Sequence, residues 1–124
     1  MFSGRSPLWT RPVSCVIDGH TRSAKEIFAW YWRERRLGPL IGEQTQGACI
    51  GCVFHQLSDG SVLMLPVSDV KRLTRGSSLE GQGVAPTYEA RQAPLPYRQG
   101  ADAILEKALE QAAASVRART RKAY

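Results

Sequence analysis

The stretch Gly19-His20-Thr21-Arg22-Ser23-Ala24-Lys25-Glu26 decides the fold, because it joins two segments of different periodicity. Before it, Pro12-Val13-Ser14-Cys15-Val16-Ile17-Asp18 is a near-continuous apolar run rich in β-branched residues. Such a run predicts a strand covered on both faces by helices, and so a parallel sheet. After it, residues 23–35 are patterned as a helix, with Ala24, Ile27, Phe28 and Tyr31 at i, i+3, i+4 and i+7 and with Trp30 and Trp32 flanking them. An apolar arc that wide predicts a well-buried helix. At a strand-to-helix turn, backbone N–H groups converge without intrahelical partners and favour negative charge. A serine placed there suits a nucleophile whose attack creates an oxyanion, which makes Ser23 the first candidate for chemistry. Ser23-x-x-Glu26 also has the spacing of a capping box, in which the serine only satisfies orphan amides.

Further along, Gly38 and Pro39 end the helix and Leu40-Ile41-Gly42 begins a short extended segment. A glycine-bracketed loop, Gly42 to Gly47, precedes two apolar runs, Cys49 to Leu57 and Ser61 to Val67. Ser58-Asp59-Gly60 between them predicts a hairpin. Thr74 to Gly83 and Gln92 to Gly100 have the glycine, serine and proline content of surface loops. From about Ala101 onward, Ile104, Leu105, Ala108, Leu109, Ala112 and Val116 trace a helical stripe.

With 124 residues, 43% hydrophobic and 23% charged, the chain is one globular domain at most, neither disordered nor membrane-spanning. Met1 to Arg11 has no apolar core of a signal peptide and no later run has the length of a membrane span, so compartment is unassigned. The net charge of +6 is uneven, with Arg33, Arg35 and Arg36 after the first helix and Arg117, Arg119, Arg121 and Lys122 near the C-terminus. The basic residues are not interleaved with aromatics on one face, and arginines near a helix C-terminus complement the macrodipole. Neither nucleic acid nor a membrane is therefore an expected partner. The three cysteines, Cys15, Cys49 and Cys52, argue against a disulfide framework. A zinc site from Cys49, Cys52, His55 and Cys15 or His20 can be drawn, but small buried thiols in a sheet are the simpler reading. No metal or cofactor is expected.

Taken in order, these pieces resemble the C-terminal half of the catalytic domain of tail-specific (C-terminal processing) proteases, in particular the tricorn-core and retinoid-binding-protein-like branch. The markers are Thr21-x-Ser23-Ala24-x-Glu26, Gly42-Glu43-x-Thr45-x-Gly47, Leu57-Ser58-Asp59-Gly60, Glu80-Gly81-x-Gly83-Val84-x-Pro86, and Asp102-x-x-Leu105-x-x-Ala108-Leu109. The resemblance covers about Pro12 to Leu109. It implies an α/β fold, the Clp protease/crotonase-like spiral of β-β-α units in its C-terminal half only, and peptide bond hydrolysis by a serine-type peptidase. It divides the chain into a lead-in (1–11), a catalytic portion (12–116) and a basic tail (117–124).

The same resemblance assigns Ser23 as nucleophile, the backbone N–H of Ala24 as oxyanion donor and Glu80 as an orienting carboxylate. It also exposes a gap. Tail-specific relatives carry a lysine base in a Gly-Lys-Gly triplet, matched here by Gly47-Ala48-Cys49, so the base position is Ala48. Lys25 lies two residues from Ser23 on a helix, where side chains do not face each other, and Lys71 lies past the hairpin. His20 and His55 are the remaining candidates within the chain. Glu26 has the position of a first-turn glutamate favoured by the helix dipole, Glu43 and Thr45 of residues that shape their loop, and Thr87 stands where relatives usually carry an aspartate. A peptide or protein substrate is implied, together with a missing N-terminal half or self-association. The alternative is a catalytically inactive, peptide-binding remnant of the same fold.

Overall fold

The computed structural model describes residues 9–122, so most of the expected lead-in and the last two residues lie outside the described part. The elements run β1 (Cys15–Ile17), α1 (Ala24–Glu34), β2 (Leu40–Gly42), β3 (Ile50–Gln56), β4 (Val62–Asp69), a 3-10 turn (Val70–Arg72), β5 (Tyr88–Glu89), α2 (Pro94–Arg98) and α3 (Ala103–Lys122). β1, β2 and β5 form a parallel sheet in that order, with Cys15 opposite Leu40 and Ile41 opposite Tyr88.

Strand alternation sorts the sheet's side chains between two helices. Cys15, Ile17 and Leu40 join Ala29 and Trp30 of α1 in the core, together with Cys49, Val70, Leu79 and Val84. Val16 lies on the other side, over Leu105 and Leu109 of α3, where a groove leaves it 48% exposed. Two glycines let the strands close up. A Cβ at Gly38 would stand 1.9 Å from the Val13 carbonyl oxygen and one at Gly42 1.9 Å from that of Ile17.

The hairpin forms as the turn signal predicts. β3 and β4 pair antiparallel, with Val53 opposite Leu65 and Phe54 opposite Met64. Asp59 holds the turn by accepting the N–H and hydroxyl of Ser61 at 2.9 and 2.7 Å.

Two expectations are corrected. The buried face of α1 is Glu26, Ala29 and Trp30, not the stripe through Ala24, Phe28 and Tyr31; Phe28 is 56% exposed. With apolar residues around most of the helix, periodicity cannot choose a face, and the choice falls to the residues that meet the sheet and the 45–49 loop. The segment Gln92 to Gly100, read as loop, contains the short helix α2, whose Pro94 occupies the first turn where no N–H is needed. α3 continues without interruption through the basic residues to Lys122. Among the described residues no helix is long and apolar enough to cross a membrane.

Candidate active site

The β1–α1 turn is tied down before the chain reaches Ser23. The Asp18 carboxylate accepts the Thr21 hydroxyl at 2.8 Å and the His20 N–H at 3.1 Å, while the Asp18 N–H donates to Thr21 Oγ1 at 3.1 Å. The Thr21 hydroxyl, with smaller help from the two backbone N–H groups and His20, holds the Asp18 carboxyl below its ordinary range.

Ser23 then adopts φ 60°, ψ −132°, outside the helical region and uncommon for a residue with a Cβ. Its N–H donates to the Ala48 carbonyl at 2.9 Å and to Glu26 Oε2 at 3.1 Å. The carboxylate half of the capping box is thus made. The hydroxyl half is in place too, with the Ser23 side chain set toward the Glu26 N–H, although that N–H makes its hydrogen bond with the Ser23 carbonyl oxygen at 2.8 Å. Ser23 and Ala24 are both exposed, and the Ala24 N–H, first in the helix, has no acceptor among the described residues. The site therefore presents an exposed serine beside an unengaged amide at the positive end of a helix.

Glu26 is the residue that sequence reasoning undervalued. It is completely buried. Its Oε1 accepts the Thr45 hydroxyl at 2.6 Å and the Gly47 N–H at 2.7 Å, and its Oε2 accepts the Ala48 N–H at 2.9 Å besides that of Ser23. Thr45 passes the connection on, since its Oγ1 accepts the Val84 N–H at 2.7 Å. One carboxylate so joins the helix start, Ser23 and the 45–48 loop. The partners lie 19 to 22 residues away in sequence, and no local pattern marks that pairing.

Glu80 comes to the same loop from the other side: its Oε2 accepts the Cys49 N–H at 2.6 Å. Ser23 and Glu80 are thereby fastened to neighbouring residues of one loop, Ala48 and Cys49. Gly47 permits this approach with φ 73°, since a Cβ there would lie 2.9 Å from the Gln82 nitrogen.

The remaining candidates disperse. Ala48 offers only a methyl side chain. Lys25 is exposed, and Lys71 is paired with Asp69 at 3.0 Å. His20 sits exposed in the Asp18 turn, and His55 lies exposed on β3 opposite Leu63. The zinc ligands drawn from sequence are also not assembled: Cys49 is buried with its thiol directed at the Ser23 carbonyl at 3.3 Å, whereas Cys52 faces the Ile50 carbonyl. Burial, then the charges of Glu26, Glu80 and Asp69, push the Cys49 thiol up, opposing the thiolate a metal needs. Among the described residues no group of three or more His, Cys, Asp or Glu is placed to hold a metal ion. At the C-terminal ends of β2 and β5 a cleft of about 380 Å³ opens between Glu43, Gln44, Glu89 and Arg91. In a parallel sheet that is the end at which β1 delivers the chain to Ser23.

Residues 2–90 match the sequence model of peptidase family S41. The chain is 35% identical over 99 residues to a putative tricorn protease homolog 2 of Streptomyces coelicolor, covering 79% of this chain and 8% of that protein. It superposes on the crystal structure of the tricorn protease with a TM-score of 0.72 at 28% identity, over 80% of this chain and 10% of the other. It matches the photosystem II D1 C-terminal processing protease with a TM-score of 0.51 at 24% identity, over 63% and 20%. The fold is thus the α/β fold of these proteases in part, and the chain spans from under a tenth to about a fifth of their lengths.

Proposed function

The chain belongs to peptidase family S41, and on that premise we propose that it carries the nucleophile half of a serine peptidase centre acting on peptides or proteins. Ser23 Oγ attacks the carbonyl carbon of the scissile bond and gives its proton to a base. The oxyanion formed meets the Ala24 N–H, a donor whose loss costs about 2.7 to 4 kcal/mol of barrier in comparable sites. Collapse expels the amine, which takes the proton back, and water hydrolyses the acyl-serine. Glu80 orients the centre through the loop it grips. The base comes from polypeptide beyond this chain, since Ala48 stands at the position of the family lysine. The division into lead-in, catalytic portion and basic tail belongs to the same proposal.

The observation that carries this reading is Ser23 itself: exposed, at φ 60°, with the Ala24 N–H beside it lacking an acceptor among the described residues. The test is hydrolysis of fluorogenic peptides, and fluorophosphonate labelling read by mass spectrometry, for this chain alone and for the chain restored to the length of its relatives. The expected result is little turnover alone, and activity with Ser23 labelling in the longer form, both lost in Ser23→Ala. A longer form that is active with Ser23→Ala overturns the assignment. A longer form that is inert and unlabelled establishes the second reading, an inactive peptide-binding remnant, which the Gly47-Ala48-Cys49 triplet favours.

A further inference from the structure

We propose that the cleft at the far end of α1 from Ser23 is a binding site for a compact oxyanion, a small molecule bearing one or two carboxylate or phosphate groups. The cleft encloses about 330 Å³ where the C-terminus of α1, the start of β2 and β5 and the middle of α3 converge. That volume is at the small end of ligand pockets. Nine helical residues, Ala24 to Trp32, lie between Ser23 and Arg33, about 15 Å from one to the other at 1.5 Å per residue, so the cleft is distinct from the proposed peptidase centre and does not depend on it.

Its lining is rich in donors and contains no carboxylate. Arg33 and Arg36 form one side, and neither guanidinium makes a hydrogen bond or ion pair among the described residues, where the ion pairs are Lys71–Asp69 and Lys107–Glu110. Thr87 Oγ1 accepts the Leu40 N–H at 3.2 Å, which leaves its own O–H to donate. The Tyr88 hydroxyl and the Gln111 side-chain amide, also in the wall, have no hydrogen-bond partner among the described residues, whereas the Ser115 hydroxyl donates to the Gln111 carbonyl at 2.9 Å. Two planar guanidinium forks lining one cleft with neutral donors supply the group types that recognise carboxylate and phosphate oxygens.

A solvated arginine complementing a helix dipole would account for Arg33, in the last turn of α1. It does not account for Arg36. That residue lies past the C-cap with φ 49°, and its N–H closes the helix on the Arg33 carbonyl at 3.0 Å. This is the position that glycine occupies at least cost. A bulky cation held there against backbone preference, beside a second unpaired cation on the same wall of the cleft, is placed as a binding group would be.

The test is calorimetric titration of the whole chain at low ionic strength with inorganic phosphate and, separately, citrate, comparing wild type with Arg33→Ala, Arg36→Gly and Arg98→Ala. Saturable binding of at least one anion is expected, weakened about tenfold or more by Arg33→Ala and by Arg36→Gly and unchanged by Arg98→Ala. The better of the two probes names the source of the oxyanion. Arg36→Gly should at the same time raise the melting temperature, because glycine relieves the positive φ, so weakened binding by that variant cannot come from unfolding. Absence of saturable binding, equal weakening by Arg98→Ala, or wild-type affinity in Arg36→Gly overturns the proposal.

Discussion

At Ser23 a backbone conformation that costs on the order of 1–3 kcal/mol is held in place by bonds to its N–H from two directions, the Ala48 carbonyl and the Glu26 carboxylate. Glu26 is therefore the residue whose loss should be felt most. In Glu26→Ala, the Thr45 hydroxyl and the Gly47 N–H lose their buried acceptor, each at about 1–3 kcal/mol, so urea denaturation should show a loss of several kcal/mol or outright unfolding. Glu26→Gln keeps the shape but turns an amide NH₂ toward N–H donors, and should be destabilised less than Glu26→Ala. If it is as stable as wild type, the carboxylate is not the keystone described. Asp18 gives a pH dependence. Its carboxyl is lowered in the folded state, so it stabilises the turn above the unfolded value of about 3.9 and that contribution disappears as pH falls through the folded value. Asp18→Asn should be less stable than wild type at pH 7, and the two stabilities should converge below about pH 4 in denaturation series. Cys49, buried and with its thiol pushed up, should resist iodoacetamide at neutral pH until the chain unfolds.

At the scale of elements, the legible parts of the fold were those governed by local rules. The β-branched run gives a strand and Asp59-Gly60 a turn, because each acts within a few residues, whereas the helix expected to run to Gly38-Pro39 stops at Glu34 and is closed by Arg36 at φ 49°. The face of α1 was not legible, since Phe28, Trp30, Tyr31 and Trp32 offer apolar surface in several directions and only the sheet and loops select among them. The candidate site divides in the same way. Ser23 is a candidate from turn chemistry alone, but spacing marks Glu26 only as a first-turn glutamate, because Thr45, Gly47 and Ala48 reach it across a crossover that sequence spacing does not encode. The loop that makes this crossover depends on one glycine. Gly47→Ala places a Cβ 2.9 Å from the Gln82 nitrogen at φ 73° and should force the Glu80 turn away from Cys49. The expected outcome is faster amide exchange at Cys49 with the β3–β4 hairpin amides unaffected. Unchanged exchange at Cys49 would show that the Glu80 contact does not need this close approach.

For the whole molecule, the imbalance is in its surface. Both faces of the hairpin are apolar and open: Phe54 and Met64 are 70% and 57% exposed on one, Leu63 and Leu65 43% and 41% on the other. A groove between β1 and α3 adds Val16, Leu105 and Leu109. A two-stranded ribbon solvated on both sides is marginal in water, and contiguous apolar surface of this kind marks an interface. The protein should therefore be unstable as a dispersed monomer, with its hairpin covered by a second copy when the chain is studied alone. Sedimentation velocity across a concentration series should show reversible association, with binding of a hydrophobic dye that falls as association proceeds. The double variant Phe54→Ser, Met64→Ser removes one cross-strand pair, worth about 0.2–1 kcal/mol to the ribbon, and far more of the contact surface. It should sediment as monomer at concentrations where the wild type associates while melting at nearly the same temperature. If wild type is monomeric throughout and melts cooperatively, the exposed hairpin is a stable feature of the isolated fold and the need for a partner falls.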